Sequence, residues 1–259
     1  MRKGFASDSF DGDGHGRAKG DACAKAAAPI GIIGALALET EGLKARLSAL
    51  SAYTIGRLTF FTGRLASRDV VLCCCGVGKV YAAMAASVMI ERFRPDALIN
   101  LGVAGGIAPL KQKDIVVAAS AVQHDYSAVA DGLLPGQIQG YGSPFIPCDP
   151  TLCEGLYAAA RALGFSCFKG TVASGDRFID DSQTARYLKE QFGASAVDME
   201  SAAVAQVCFE LNVPFTALRS VSDNADEKAV GSFYEFVLEA SKRSIAAVEY
   251  FLTQPLSFS

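Results

Sequence analysis

This chain of 259 residues has little of what several classes of protein depend on. It has no excess of positive charge, since 24 lysines and arginines are set against 27 acids, giving a net charge of -3. That balance argues against nucleic acid or an anionic membrane surface as a partner. The sequence also contains no run of eighteen apolar residues, the length that a membrane-spanning helix requires.

Residues that could bind a metal ion are few and badly spaced. There are only 2 histidines, none of the 8 cysteines forms a CxxC pair, and no histidine lies near a cysteine. This pattern argues against zinc. The adjacent cysteines Cys73–Cys75 lie in an apolar, strand-like run. They indicate small core residues in a reducing compartment, and hence a cytoplasmic protein, with a redox sensor as the alternative.

The common nucleotide-binding and nucleophile motifs are incomplete. Gly31–Gly34 has two glycines three residues apart and no third glycine in place, so it does not match GxGxxG. Gly76–Lys79 lacks the first glycine of a phosphate-binding loop, and Val80 occupies the Ser or Thr position of that motif. His124 and Asp125 form a pair that could be catalytic, but no GxSxG elbow supplies a nucleophile.

Residues 1–28 differ in composition from the rest of the chain. They are rich in Gly, Asp, Ala and Ser, and Phe5 and Phe10 are their only large apolar residues. Such a segment cannot bury enough apolar surface to order itself, so we expect a disordered extension, or alternatively a start site assigned too far upstream. No apolar stretch follows Arg2 and Lys3, which argues against a secretory signal. Residues 29–259 are expected to form one domain.

From Ile30 onward, short apolar segments alternate with segments of helical period. Strands are predicted over residues 30–36, 59–63, 70–75, 97–101, 114–121, 167–174, 194–197 and 214–221. Helices are predicted over residues 39–50, 79–93, 151–163, 183–192 and 199–211, followed by a final helix. This alternation predicts an α/β fold with a mixed or mostly parallel sheet covered on both faces. The irregular stretch 123–150 is expected to be functional or to lie at an interface.

Carboxylates stand at the ends of three predicted strands. Glu39 follows the first strand, Asp198 and Glu200 follow the strand 194–197, and Asp223 follows the strand that contains Arg219. Ligand sites of α/β proteins lie at such strand ends, so these acids suggest acid/base chemistry on a polar small molecule. The alternatives are structural, with Glu200 favoured at a helix start and Asp223 acting as a cap.

Two further segments suggest contacts with a ligand. The turn predicted at Gly102–Gly106 would leave backbone N–H groups free to meet a ligand oxygen. Phe178 offers a flat face to a planar ligand, and Ile179 can present backbone groups to ring nitrogens, although a phenylalanine of the core is the ordinary alternative.

Together, these motifs resemble the 5'-methylthioadenosine/S-adenosylhomocysteine nucleosidase family within the nucleoside phosphorylase superfamily. The resemblance covers about residues 30–253 and rests on Gly31–Ala35 with Glu39, Gly76–Lys79, Gly102–Gly106, Ser174–Asp176 with Phe178–Ile179, Val197–Glu200, and Ser222–Asp223. It implies a three-layer α/β/α domain with a mixed central sheet, usually assembled as a homodimer. It also implies hydrolysis of the bond between adenine and a 5'-thio-substituted ribose, without a metal or organic cofactor.

The resemblance also implies a role for each matching residue. Asp223 would protonate adenine N7, Glu39 would activate the attacking water, and Glu200 would hold the ribose hydroxyls. Substrate-binding roles fall to Met199 on the sugar, Arg219 near the water and Glu200, Phe178 stacked on adenine, Ile179 at the adenine edge, and Ser222 at the purine-side loop. Leu36, Val77 and Phe233 would surround the sugar and alkylthio group, and Gly105 is a further substrate-binding residue.

Several departures and alternatives remain open at this stage. Val103 replaces a serine, and Leu36 replaces a methionine, that occur in some members of the family. The loop 124–150 has no close match, so the preferred 5'-substituent stays open, with 5'-deoxyadenosine and futalosine-type nucleosides among the possibilities. A phosphorylase of the same fold would need more cations than Arg219, and Glu39 would repel phosphate. A non-catalytic nucleoside-binding protein is the third reading.

Overall fold

The computed structural model describes residues 28–255, so the predicted extension lies outside the described residues except for Ala28. Within that range the chain forms ten strands and six α-helices. The strands are β1 (Ile30–Gly34), β2 (Ser48–Ile55), β3 (Leu58–Leu65), β4 (Arg68–Cys74), β5 (Ala97–Gly106), β6 (Ile115–Gln123), β7 (Ile146–Pro147), β8 (Cys167–Ser174), β9 (Ala194–Asp198) and β10 (Phe215–Asp223). The helices are α1 (Ala37–Lys44), α2 (Lys79–Phe93), α3 (Pro150–Ala162), α4 (Ser182–Phe192), α5 (Ser201–Glu210) and α6 (Ala229–Thr253).

All ten strands belong to one mixed sheet. The buried strand β1 pairs in parallel with β4 on one side and with β5 on the other. Strand β5 also pairs in parallel with β10 and, at its last residues, antiparallel with β9. Because β10 continues through β6 and β8 to β9, these five strands close on themselves, while β4, β3 and β2 extend the sheet.

Helices cover both faces of the sheet. Helices α2 and α5 pack on one face through small residues such as Ala82 and Ala202. Helices α1, α3 and α6 pack on the other face through larger residues such as Leu156. Successive strand residues point to opposite faces, so Ile32 belongs to the second layer and Ile33 to the first. This arrangement confirms the predicted three-layer α/β/α fold with a mixed sheet.

The predicted helix over residues 39–50 is wrong in its second half. Helix α1 ends at Lys44, and Ser48–Ile55 is a strand that pairs only with β3. Seven of its eight residues are exposed, so the strand has no buried face and no alternation of apolar and polar residues to announce it. Its backbone hydrogen bonds come from the hairpin with β3, a tertiary partner that the local pattern does not show.

The turn predicted at Gly102–Gly106 is also wrong, because these residues form the second half of β5. Glycine serves close packing here. A Cβ atom added at Gly105 would lie 3.0 Å from both Asp223 Oδ1 and Val197 Cγ2. The strand therefore continues to the point where the functional side chains gather.

The three adjacent cysteines divide between core and surface. Cys73 and Cys75 are buried, whereas Cys74 at the end of β4 is exposed, so the prediction of a core residue is wrong for Cys74. Burial raises the pKa of Cys73 to about 12 and also raises the pKa of Cys74. Because the thiolate is the reactive form, raised thiol pKa values disfavour the alternative of a redox sensor.

Several predicted elements coincide with the structure. Helix α2 and strand β8 have the predicted bounds. Between the end of β6 at Gln123 and the start of α3 at Pro150, the irregular stretch contains only the short strand β7 and a 3-10 turn over Val129–Asp131. No helix among the described residues is long and apolar enough to cross a membrane.

Candidate active site

A cavity of about 430 Å³ lies where β1, β5, β9 and β10 end, beside the first turns of α6. Its volume is within the range of small-molecule sites. Ten of the residues predicted from the sequence line it: Leu36, Glu39, Val77, Gly105, Phe178, Met199, Glu200, Ser222, Asp223 and Phe233. The remaining walls are mostly apolar. The strand ends therefore bring the predicted residues together in one place.

Glu39 lies buried in the first turn of α1 and is held by backbone donors. Its Oε2 accepts hydrogen bonds from the N–H groups of Ala35 at 2.7 Å and Leu36 at 2.8 Å. Its Oε1 accepts a hydrogen bond from the N–H of Val103 at 2.9 Å. Burial raises the pKa of Glu39, although the nearby Arg219 charge and these hydrogen bonds oppose the increase. A fixed carboxylate with increased proton affinity is suited to act as a base.

Glu200 precedes the first residue of α5 and is also buried. Its Oε1 accepts a hydrogen bond from the N–H of Gly78 at 2.9 Å, in the turn that leads into α2. Its Oε2 lies 3.7 Å from Arg219 Nη2. Burial raises the pKa of Glu200 to about 7, against the opposing effect of Arg219. These two contacts leave the Glu200 carboxylate able to accept a further hydrogen bond from a hydroxyl group.

Asp223 ends β10, and a bulge in that strand decides where its side chain points. Val221 pairs with Ala104 and Asp223 pairs with Gly105, which leaves Ser222 as the extra residue. Both Ser222 and Asp223 consequently line the cavity. Asp223 accepts hydrogen bonds from the Ala225 N–H at 3.0 Å and from Ser222 Oγ at 2.9 Å. Burial outweighs these bonds and raises the pKa of Asp223, so its protonated form is favoured.

Three aromatic rings form one side of the cavity. Phe178 and Phe233 meet edge to face with their centroids 5.9 Å apart, and Phe233 meets Tyr234 in the same way at 5.5 Å. Phe178 keeps 39 % of its surface exposed, which leaves its ring available to a ligand. Ile179 does not line the main cavity but an adjoining recess of about 30 Å³, next to Phe178 and Asp223.

Arg219 lies behind the cavity wall and is fully buried. Its Nε donates a hydrogen bond to Asp198 Oδ2 at 2.7 Å, and its Nη2 donates to Ser201 Oγ at 3.0 Å and to Asn100 Oδ1. Its proximity to Glu200 agrees with the expectation. The Arg219 guanidinium does not line the cavity as a group in contact with substrate would, because protein encloses it behind the cavity wall.

The predicted pair His124 and Asp125 does not face the cavity. Asp125 instead forms an ion pair with Lys79 at 2.5 Å and accepts a hydrogen bond from the N–H of Asp176 at 2.9 Å. Asp176 in turn accepts from the N–H of Lys79 at 2.8 Å. These contacts fasten the turn that carries Val77 to the segment that precedes Phe178, so Asp125 has a structural role here.

Within residues 28–255, no three His, Cys, Asp or Glu side chains are grouped so as to hold a metal ion. The cavity instead combines four buried acids, Glu39, Asp198, Glu200 and Asp223, with an aromatic wall and apolar sides. Acids that both retain and accept protons, next to a flat apolar surface, can cleave a bond to a planar heterocyclic leaving group by acid/base catalysis.

Comparisons with known proteins agree with this chemistry. The family model described as the phosphorylase superfamily matches residues 29–253. The 5'-methylthioadenosine/S-adenosylhomocysteine nucleosidase of Anoxybacillus flavithermus is 36% identical over 227 residues, which cover 87% of this chain and 98% of that protein. The chain belongs to the 5'-methylthioadenosine/S-adenosylhomocysteine nucleosidase family. It is accordingly an N-glycosyl hydrolase.

Solved structures extend the relationship to three dimensions. The nucleosidase of this family from Neisseria meningitidis, in complex with methylthio-immucillin-A, is 36% identical with a TM-score of 0.84, covering 87% of this chain and 98% of that one. The futalosine hydrolase of Helicobacter pylori strain 26695 is 32% identical with a TM-score of 0.82, covering 87% and 97%. The fold is therefore shared with proteins named as nucleosidases and with one named as a futalosine hydrolase.

Sequence reasoning missed several residues of this nucleosidase-family site. Val230 and Tyr234 line the cavity next to the predicted Phe233. Val230 precedes Phe233 by three residues on the same helix, so helical spacing was the signal that could have found it. Asn100 and Ser201, which surround Arg219, carry no comparable signal because only the assembled sheet brings them together.

The nucleosidase-family site depends on the absence of a side chain at Gly102. A Cβ atom there would lie 2.1 Å from Arg219 Nη1 and 2.6 Å from Glu39 Oε1. We expect Gly102→Ala to displace both groups, lower the melting temperature and reduce turnover on the order of 10²-fold, the scale of a small misplacement of reacting groups. Thermal unfolding and adenine-release assays on the same preparation check this expectation.

Gly231→Ala is the matched control for that change. Gly231 lies in α6, and an added Cβ atom would meet nothing within 4 Å. Alanine is favoured over glycine in a helix by roughly 0.5–1 kcal/mol, so this variant should be slightly more stable than the original protein. Equal behaviour of the two alanine variants would contradict the crowding described at Gly102.

Proposed function

We propose that this enzyme hydrolyses the N-glycosidic bond of 5'-methylthioadenosine, S-adenosylhomocysteine and related 5'-modified adenosines. The products are adenine and a 5-thio-substituted ribose. The observation that carries the proposal is that Glu39, Glu200 and Asp223 line one cavity together with Phe178, in a chain of this family.

Asp223 is the proposed general acid. Adenine is a poor leaving group until its N7 receives a proton, so the donor must retain a proton near neutral pH. Burial raises the pKa of Asp223, which shifts the group towards its protonated form. As the bond between C1' and N9 breaks, its electron pair moves to the adenine ring and the Asp223 proton moves to N7.

Glu39 is the proposed base for water. The sugar becomes oxocarbenium-like as adenine departs, as in glycoside cleavage, and water adds to C1'. Glu39 takes the proton that this water loses. Its fixed hydrogen bonds to Ala35, Leu36 and Val103 hold the carboxylate still, so it does not have to reorganise during the reaction.

Glu200 and the apolar walls position the substrate. Glu200 is proposed to hold the ribose hydroxyls with Met199 packed on the sugar, while Phe178 stacks on adenine. Leu36, Val77 and Phe233 line the cavity and would surround the 5'-substituent. An apolar wall of this kind is suited to an alkylthio group.

The alternative is a phosphate-dependent phosphorylase. A phosphate nucleophile needs several cationic or N–H donors that converge on one point. No lysine or arginine of the described chain lines the cavity, and Glu39 would repel an anion at the position of attack. Water is therefore the favoured nucleophile.

One assay tests the proposal. Purified enzyme is incubated with 5'-methylthioadenosine, S-adenosylhomocysteine or 5'-deoxyadenosine, each with and without phosphate, and adenine release is measured. We expect release that does not depend on phosphate. Release only with phosphate would establish the phosphorylase, and adenine binding without any turnover would establish a binding protein. Turnover of a futalosine-type nucleoside alone would move the substrate to the alternative that the Helicobacter relative's name indicates.

We also propose that the enzyme is a homodimer. Val80 is 77% exposed on α2, and Tyr81 and Met84 next to it are exposed as well. A surface groove with both apolar and polar walls joins Val80 to Leu211 beyond α5, and Val77 near the start of α2 lines the cavity. A group of exposed apolar side chains such as the one on α2 is typical of a protein interface.

The dimer proposal predicts the effect of a charge on that face. Val80→Glu should convert the dimer to a monomer, because two buried carboxylates would face each other across a two-fold interface. Light scattering after size-exclusion chromatography measures the mass. Leu50→Glu, which changes an exposed apolar residue of β2, is the control and should remain dimeric. A monomeric original protein, or a dimeric Val80→Glu variant, would refute this interface.

A further inference from the structure

Asp198 is a buried acid that the proposed reaction does not use. Its side chain is only 2% exposed at the end of β9. Its oxygens accept hydrogen bonds from the hydroxyls of Ser174 and Ser201 and from the Ser201 N–H, as well as from Arg219 Nε. Protein donors therefore engage both oxygens of this carboxylate, although Asp198 also borders the cavity.

The main partner of Asp198 is a guanidinium shared by three acids. Arg219 Nε meets Asp198 at 2.7 Å, whereas Arg219 Nη2 stays 3.7 Å from Glu200. The charge of Arg219 also acts on Glu39. Its Nη1 has no hydrogen-bond partner within residues 28–255 and lies against Gly102. One buried cation therefore has a close partner in Asp198 and looser contacts with Glu200 and Glu39.

We infer that Asp198 is a positioning residue for the hydrolysis, because its short ion pair holds Arg219 back from Glu200 and Glu39. The inference rests on the proposed function of this cavity. A buried carboxylate next to an unshared cation would become a tightly paired anion. With Asp198 in place, much of the Arg219 charge is neutralised, and Glu200 and Glu39 remain free to exchange hydrogen bonds with ribose and water.

The inference predicts how activity depends on pH. The charged groups that face Glu200 are Asp198 on β9, Arg219 on β10 and Glu39 on α1; it also faces the Cys75 thiol after β4 and the Gly78 N–H before α2. Asp198 raises the pKa of Glu200 and Arg219 lowers it. Loss of the Asp198 charge should therefore lower the pKa of Glu200.

The experiment compares pH profiles of adenine release. Asp198→Asn keeps the size of the side chain and removes its charge. We expect kcat for 5'-methylthioadenosine to fall on the order of 10²-fold, as for misplaced reacting groups. We also expect the limb of the pH profile that belongs to Glu200 to move down by about one pH unit or more, the scale set by an adjacent unshared cation.

Ser174→Ala is the matched comparison, because it removes a hydrogen bond to Asp198 and leaves the charge. It should retain the original pH profile whatever its melting temperature. If Asp198→Asn does not fold, Asn100→Asp tests the opposite sign, since it adds a carboxylate next to Arg219 Nη2. That variant should move the same limb to higher pH.

The outcomes separate two failures. Absence of adenine release by the original enzyme would overturn the proposed function. Release by the original enzyme, with unshifted pH profiles in the Asp198 or Asn100 variant, would overturn the positioning role and leave a purely structural one.

Discussion

Asp223→Asn should reduce the turnover of 5'-methylthioadenosine by about 10²- to 10⁴-fold, the usual contribution of a general acid. An amide can keep the hydrogen bond from the Ala225 N–H, but it cannot transfer a proton to adenine N7. Binding should suffer less than catalysis, so kcat should fall far more than KM rises. Steady-state kinetics with an adenine-release readout provide both constants.

The pH dependence gives a second check on Asp223. The protonated acid is the active form, so turnover should decline as pH rises through the increased pKa of Asp223. This alkaline limb should be absent from the residual activity of Asp223→Asn. Asp226→Asn makes the same chemical change three residues away, outside the cavity walls, and should keep most of its turnover, with the alkaline limb moved slightly to lower pH because the Asp226 charge helps to raise the pKa of Asp223. Near-original turnover in Asp223→Asn itself would exclude it as the proton donor.

Glu39→Gln should cause a loss of comparable size, on the order of 10²- to 10⁴-fold in kcat. A glutamine cannot take a proton from the attacking water. The two Glu39 oxygens together accept backbone hydrogen bonds from Ala35, Leu36 and Val103. Glutamine replaces one of these oxygens with an amide nitrogen, so at least one of the three N–H donors loses its acceptor. The melting temperature should therefore fall as well, since an unpaired buried donor costs about 1–3 kcal/mol.

Glu41→Gln is the control for this change. Glu41 lies two residues further along α1, where it forms an exposed ion pair with Lys44 at 3.1 Å. Exposed pairs of this kind contribute roughly 0–1 kcal/mol, so activity and melting temperature should remain close to those of the original protein. If Glu39→Gln and Glu41→Gln behaved alike, the role assigned to Glu39 would be untenable.

The local sequence pattern was sufficient to predict an element where buried and exposed residues alternate regularly along the chain. Helix α2 alternates buried alanines with exposed residues, and its bounds were predicted from that period. Strand β8 lies between helices α3 and α4, and its bounds were also predicted in full. In these elements, the local preference and the tertiary environment agree.

The sequence misleads where a partner from elsewhere in the chain decides the conformation. Strand β2 carries residues that suit a helix as well as a strand, and only its hairpin with β3 selects the strand. The glycines after Leu101 resemble a turn, but they remain in β5 because they pair with β10 and β9. Glycine is needed there because Arg219, Glu39 and Asp223 occupy the space beside these residues. Neither influence can be read from neighbouring residues.

The candidate site divides in the same way. Glu39, Glu200 and Asp223 lie near strand ends, where the alternation of elements already placed them, whereas Val77 and Phe233 could be named only through the family resemblance. The layer behind the cavity could not, because Asn100, Ser174 and Ser201 come from three different elements. Arg219 is likewise buried because strands β5, β10, β6, β8 and β9 close around it, which the residues next to it in sequence do not indicate.

The way in which Glu39 is held has a consequence for how the enzyme can evolve. Leu36 and Val103 bind this carboxylate through main-chain N–H groups and, with Val77, form the cavity wall through their side chains. Replacing either side chain reshapes the wall and leaves the donors to Glu39 in place. Substitutions at residues 36 and 103 can therefore change the range of substrates in this lineage, while the hydrogen bonds that hold Glu39 for the reaction are retained.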